Sequence, residues 1–341
     1  MATIARALCL PLAAALLALA APAPAAGDAY LPPSGKVFTG LTGSSSADGF
    51  TREVGKHPAV FGFFTSWNRP SGPIFQSAEA ARSRPMLHIS TAEGYGIAEK
   101  ISPGGIARGE GDRYLAGLNR SIADYGGITY VRLMAEMNQT NNAYCAFNRN
   151  GSSRGASHST ANFIRAWRRA VLIVRGGPLE RVNTRLRELG LPEVRGLEDG
   201  EQLARPRVAL LWVPQVAGTP DTRANRAAAY WPGAAYVDWV GTDFYSKFPN
   251  FAGLERFYRE FAGKPFAFGE WAMWERSDPR FVTELFGFMR SRPRVRMHLY
   301  NQGADPNGPF RLRRYPAARR AIRQQLESPR QLEYAPELAP R

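Results

Sequence analysis

The chain has 341 residues and a formal net charge of +15. Cys9 falls in a leader-like segment, so only Cys145 remains in the body of the chain, and a small disulfide-stapled fold is excluded. The basic charge comes without a recognised nucleic-acid motif, so nucleic acid is not expected as a partner. An acidic polymer, such as an anionic cell-wall polysaccharide, is the sharper reading of that charge, beside a plainly solvated basic surface.

Residues 1–26 read as a secretory signal peptide. Arg6 precedes an apolar run beginning at Ala7, and Ala23-Pro24-Ala25-Ala26 supplies the small residues of a cleavage site. Pro11 interrupts the run, which is short for a membrane span. The expectation is a secreted, extracellular monomer with no stable membrane insertion. Its catalytic domain would occupy residues 27–330, with a C-terminal tail at 331–341.

Eight short apolar segments then recur, predicted as strands at Val37–Gly40, Ala59–Phe64, Pro85–Ile89, Ile128–Leu133, Val208–Val213, Tyr236–Thr242, Pro265–Gly269 and Val295–Tyr300. Most are continuous apolar runs, as strands covered on both faces are. Helix signals lie between them. Asp112 opens a segment with Leu115, Leu118, Ile122 and Tyr125 on one face and Gly126 as its stop. Ser157 or Ser159 can cap the helix that follows, and Asp278-Pro279 opens another. Residues 175–206 form a polar insertion, read as a loop with one helix. A basic helix, broken near Pro316, closes the chain.

Strands alternating with helices over this length predict an α/β fold, a (β/α)8 TIM barrel in a single domain. The rival is a doubly wound sheet, whose Gly-rich phosphate loop is only weakly matched by VFTGLTGSSSADGF. Barrel sites sit at the carboxyl ends of the strands. Those ends carry Trp67, then His88, then Arg132, Glu136 and Asn138, then Trp212 and Gln215, then Asp243 and Tyr245, then Glu270 and Trp271, then Tyr300 and Asn301. Two carboxylates facing one mouth suit glycosidic cleavage, which needs one protonated acid and one ionised group. Aromatic faces and side-chain amides suit sugar rings and hydroxyls. The structural alternative is a set of satisfied barrel-end carboxylates paired with Arg132.

The stretch RLMAEMN, with Arg132, Glu136, Met137 and Asn138, resembles the acid/base strand of glycoside hydrolase family 26, which holds secreted β-mannanases. YVDWVGTDFY is similar to the family's sixth strand and FAFGEWAMW to its seventh; VALLWVPQ and HPAVFGFFTSW are similar to its fifth and second. The resemblance implies a retaining double displacement with Glu136 as acid/base and Glu270 as nucleophile. It implies supporting roles for Arg132, Tyr245 and Asp243, and carboxyl groups about 5–5.5 Å apart. Substrate contacts are expected from Trp67, Asn138, Trp212, Gln215, Trp271, Tyr300 and Asn301.

The chain departs from the family where Ala135 replaces a histidine and where Gln139-Thr140-Asn141-Asn142-Ala143-Tyr144 replaces a glycine and tryptophans. Those positions shape the sugar subsites. His88 is expected in the core or a loop rather than as a replacement imidazole. Asp238, Glu93 and Glu275 are expected as surface or loop charges. The scattered histidines 57, 88, 158 and 298 imply no metal, and no cofactor is expected. The leading expectation is a hydrolase of a β-linked polysaccharide. The alternative is a carbohydrate-binding or surface-polymer-associated protein on the same fold.

Overall fold

The computed structural model describes residues 29–43, 46–94, 97–197 and 202–340. The leader-like segment 1–26 lies outside the described residues. Eight parallel strands form the sheet: β1 (Val37–Thr42), β2 (Val60–Ser66), β3 (Arg84–Ser90), β4 (Thr129–Leu133), β5 (Val208–Trp212), β6 (Trp239–Tyr245), β7 (Phe266–Ala272) and β8 (Val295–Asn301). Each pairs with the next, and β8 pairs back onto β1, with Phe38 opposite Met297 and Thr42 opposite Asn301. The sheet is therefore a closed (β/α)8 barrel.

Successive residues of a strand face opposite sides of the sheet. In β4, Tyr130 joins the barrel interior with Phe38, Val60, Met86, Leu211, Trp239 and Leu299. Val131 and Leu133 join the layer between strands and helices. Arg132 shares the face of Tyr130 and so points inward. The helix Asp112–Tyr125 buries Leu115, Leu118 and Ile122 and ends on Gly126 in the left-handed region. Ser159 caps Thr160–Arg175 by accepting a hydrogen bond from the Asn162 amide. The insertion is one helix, Leu179–Glu188, flanked by a two-residue antiparallel pairing of Gly177–Pro178 with Gln202–Leu203. Among the described residues, no helix is long and apolar enough to cross a membrane.

Two expectations change. The sixth strand starts at Trp239 rather than Tyr236, because Ala234–Tyr236 forms a 3-10 turn. Asp243 and Tyr245 therefore sit within the strand, not beyond it. Asp238 is no surface charge: it is buried and accepts from Arg175 at 2.7 Å and from the Leu210 amide at 2.8 Å. Without those partners its burial would be strongly unfavourable. Glu93 and Glu275 do form outer ion pairs, Glu93 with Arg69 and Lys100 and Glu275 with Lys247.

Residues 331–338 pack beneath the barrel. Gln331–Leu332 pairs with the start of β1. Arg84 makes a two-pronged contact with Glu337 at 2.7 and 2.9 Å and donates to the Tyr30 carbonyl at 2.8 Å. Tyr130 also donates to that carbonyl, at 2.8 Å.

His298 on β8 is fully buried. Its Nδ1 accepts from Trp271 Nε1 at 3.1 Å, so its Nε2 carries the hydrogen and donates to Gln331 Oε1 at 3.0 Å. Burial holds its pKa down to about 4. The unfolded chain takes up that proton near pH 6.5, so stability present at neutral pH is lost as pH falls from 6.5 towards 4. Between pH 7 and 5 this one group is expected to remove about 2 kcal/mol. Denaturant titrations at both pH values check it: His298→Gln should lose less stability over that interval than the parent chain.

Candidate active site

The end of β4 carries the first functional carboxyl. After Leu133 the chain leaves the strand through two residues in the left-handed region, Met134 at φ 47° and Glu136 at φ 54°. Each costs about 1–2 kcal/mol for a non-glycine residue. Neighbouring strands offset that cost: the Met134 amide donates to the Ile89 carbonyl at 2.9 Å and the Glu136 amide to the Val213 carbonyl at 2.6 Å. The departing segment 139–144 closes over the turn. Tyr144 Oη donates to the Ala135 carbonyl at 2.6 Å, and Asn142 Nδ2 to the Glu136 carbonyl at 2.9 Å. The residues that depart from the family pattern thus hold the Glu136 turn in shape.

Glu136 Oε1 accepts from Gln215 Nε2 at 2.6 Å. Asn138 fixes Gln215 by its backbone, donating to its carbonyl at 2.9 Å and accepting from its amide at 2.9 Å. Glu270, on β7, is gripped on both oxygens. Its Oε1 accepts from Arg132 Nη1 at 2.8 Å; its Oε2 accepts from Tyr245 Oη at 2.6 Å and Asn301 Nδ2 at 2.7 Å. Arg132 Nη2 also donates to Asp243 Oδ2 at 2.6 Å. Gly269 is required beside this contact, since a Cβ there would lie 2.8 Å from the guanidinium carbon and 2.9 Å from Asp243 Oδ1.

The carboxyls separate in acidity. Burial alone would raise Glu270, but the Arg132 charge, His88 and the Tyr245 hydroxyl bring it down to about 2. Burial and then the Glu270 charge raise Glu136, against the Asp243 and Gln215 hydrogen bonds and Arg132. Burial likewise raises Asp243 well above its ordinary value, against the Arg132 charge and with the Glu270 and Glu136 charges adding to the rise. One guanidinium cannot balance three ionised carboxylates in so little water. The site resolves this by favouring ionisation of Glu270 and protonation on the Glu136 and Asp243 side.

Glu136, Asp243 and Glu270 line one cleft of about 1330 Å³, with Gln215, Tyr245 and Asn301. Five expected sugar contacts do not reach it. Trp67 packs on Tyr114 beside a different cavity. Trp212 faces the helix layer among Trp231, Phe257 and Phe261. Trp271 packs on Phe286 and Tyr300, and Tyr300 donates to the Phe310 carbonyl at 3.1 Å. The reason for three of them is strand alternation. Trp271 and Tyr300 adjoin the inward Glu270 and Asn301, and Trp212 adjoins the inward Leu211 and Val213. Asn138 is fully buried and spends its amide on Gln215.

The cleft instead presents Phe64, Phe248, Trp274 and Phe310. Phe64 and Phe248 are 47% and 64% exposed, a strong signal for large apolar side chains lining one cleft. His88 also belongs to the cleft, against expectation. Its Nδ1 lies 3.6 Å from Glu270 Oε1, beyond hydrogen-bond length, and neither ring nitrogen has a hydrogen-bond partner. Burial and then the Arg132 charge keep it neutral, against the pull of Glu270. Its inward parity with Arg132, its register partner on β4, was the available sequence signal.

No family model matches the chain, and no curated protein does. Solved structures do. A Cellulomonas fimi endo-β-1,4-mannanase double mutant superposes with a TM-score of 0.61 at 16% identity, over 92% of this chain and 78% of that one. A family 26 protein from Muricauda sp. gives 0.57 at 16% identity, over 87% and 91% of the two chains. A family 26 β-mannanase from Bacteroides ovatus gives 0.54 at 14% identity, over 88% and 90%. The chain therefore has the (β/α)8 fold of these family 26 glycoside hydrolase structures, as a divergent likeness that runs through nearly all of its described length.

Proposed function

We propose that the protein is a secreted retaining glycoside hydrolase acting on a β-linked polysaccharide. One observation carries the reading. An ionised carboxylate held by three donors, Glu270, and a carboxyl of raised pKa, Glu136, share one cleft. Retaining hydrolysis needs that division of protonation states. The likeness to family 26 mannanase structures agrees with it.

In the first step Glu270 attacks the anomeric carbon while Glu136 protonates the departing glycosidic oxygen. Gln215 occupies Glu136 Oε1, so the proton resides on Oε2. Arg132, Tyr245 and Asn301 hold Glu270 in place for attack. In the second step Glu136, now ionised, takes a proton from water as it opens the glycosyl-enzyme. The unpartnered His88 ring and the faces of Phe64, Phe248 and Trp274 receive the sugar hydroxyls and ring faces.

The test is incubation with a panel of β-linked polymers, mannan among them, with proton NMR of the first-formed reducing end. Release of sugars with retained anomeric configuration is expected. Inverted product would remove the double displacement. Binding without release from any polymer would leave a carbohydrate-binding protein on a hydrolase fold.

A further inference from the structure

We propose that a second cavity, beside the cleft, is a subsite for a carboxylated sugar unit of an acidic polysaccharide. It rests on the hydrolase reading only in naming the polymer as the one that also enters the cleft. The cavity holds about 780 Å³ and lies between the turn after β2 and the helix Asp112–Tyr125. Arg69 and Pro70 wall both spaces, so one extended chain can run from the cleft into it.

Its inner wall suits a sugar. Trp67 and Tyr114 pack with ring centroids 4.5 Å apart, and both line the cavity. The Tyr114 hydroxyl is buried and has no hydrogen-bond partner. Leaving such a group unpaired is unfavourable, and a sugar hydroxyl can both accept from it and donate to it.

Its charges point to an acid. The carboxylates there are already engaged. Glu110 accepts from Arg108 at 2.8 Å, and two of the cavity's cations, Arg69 at 2.8 Å and Lys100 at 2.6 Å, are taken by Glu93 of the neighbouring cleft. Glu99 accepts from Thr91 at 2.7 Å and meets His158 at 2.6 Å. Arg113 is exposed and makes no hydrogen bond or ion pair among the described residues. It is the spare cation of the cavity, and a planar guanidinium matches a carboxylate in two-pronged fashion.

Residues 113, 117 and 121 recur at helical spacing on the face that lines the cavity. At Gly117 an added Cβ would meet nothing within 4 Å. A large side chain there fills the cavity without disturbing the core. The experiment is affinity electrophoresis of the full chain in gels containing a β-linked polyuronate or a neutral β-linked polymer, over a range of salt. Gly117→Trp is expected to weaken retention on the polyuronate about tenfold, while Gly117→Ala, which leaves the cavity open, retains it. Arg113→Gln is expected to lose retention on the polyuronate alone and to flatten its salt dependence. Parental retention by Gly117→Trp would overturn the subsite. Loss by Gly117→Trp with none by Arg113→Gln would overturn the acidic assignment. Because the readout is binding, a failure of hydrolysis would not move it.

Discussion

Replacing Glu270 with alanine is expected to lower turnover of the natural polymer by about 10⁴-fold or more, because no other carboxylate is placed to form the glycosyl-enzyme. Asp243 is the neighbouring carboxyl, with its Oδ2 held by Arg132 at 2.6 Å. Glu136→Ala should behave differently. It is expected to lose about 10²–10⁴-fold on the polymer, where the leaving oxygen needs a proton. On an aryl glycoside with an acidic phenol, glycosylation should be nearly spared. The pH profile gives a second reading. In the parent, activity falls on the acid side as Glu270 takes a proton, with its pKa near 2. It falls on the alkaline side as Glu136 loses its own, above the usual carboxylate range. Glu136→Ala should delete the alkaline limb and keep the acid one. Initial rates on both substrates across pH test the pair. Product release by Glu270→Ala equal to the parent's would overturn the nucleophile assignment.

Arg132→Met is expected to be the most damaging substitution for stability, by about 3–5 kcal/mol at neutral pH. The guanidinium is 1% exposed and lies between Asp243 and Glu270. Burial would favour its neutral form, but the charges of Asp243 and Glu270 and the hydrogen bond to Glu270 outweigh it. Without it, buried Asp243 and Glu270 and half-buried Glu136 have no cation beside them, and their folded pKa values rise above the unfolded ones. The penalty is then largest when they must ionise, and it shrinks as pH falls through those raised values. The parent instead loses the Glu270 contribution as pH falls below about 4.5 towards 2. The gap between variant and parent should therefore narrow in acid. Denaturant midpoints at pH 7 and pH 4 measure it. A constant gap would mean that packing, not charge, is what Arg132 supplies. Arg132→Lys keeps a charge but cannot reach both carboxylates in one plane, so it should fall between the two.

Much of this was legible in the sequence, and the rest failed for definable reasons. Continuous apolar runs marked the strands because both barrel faces are dry. Glu136 and Glu270 stood out because an ionisable group at the end of such a run needs a partner. The aromatics differ from expectation because nearness in sequence is not nearness in space on a pleated strand. Trp271 beside Glu270 and Tyr300 beside Asn301 must face the opposite way on a pleated strand. Phe64 and Phe248 looked like ordinary core residues, since a one-letter code does not show exposure. His88 alternates with the outward Leu87 and Ile89, and the β3–β4 register then sets it opposite Arg132. Asp238 looked like a loop charge because its partner Arg175 is 63 positions away.

The clamp of Arg84 on Tyr30 and Glu337 fastens both ends of the described chain at the amino-terminal rim of the strands. The cleft opens at the other rim. A tether at either end, whether a bead, a surface anchor or a fused module, would therefore present the cleft outward to a polymer approaching from solution.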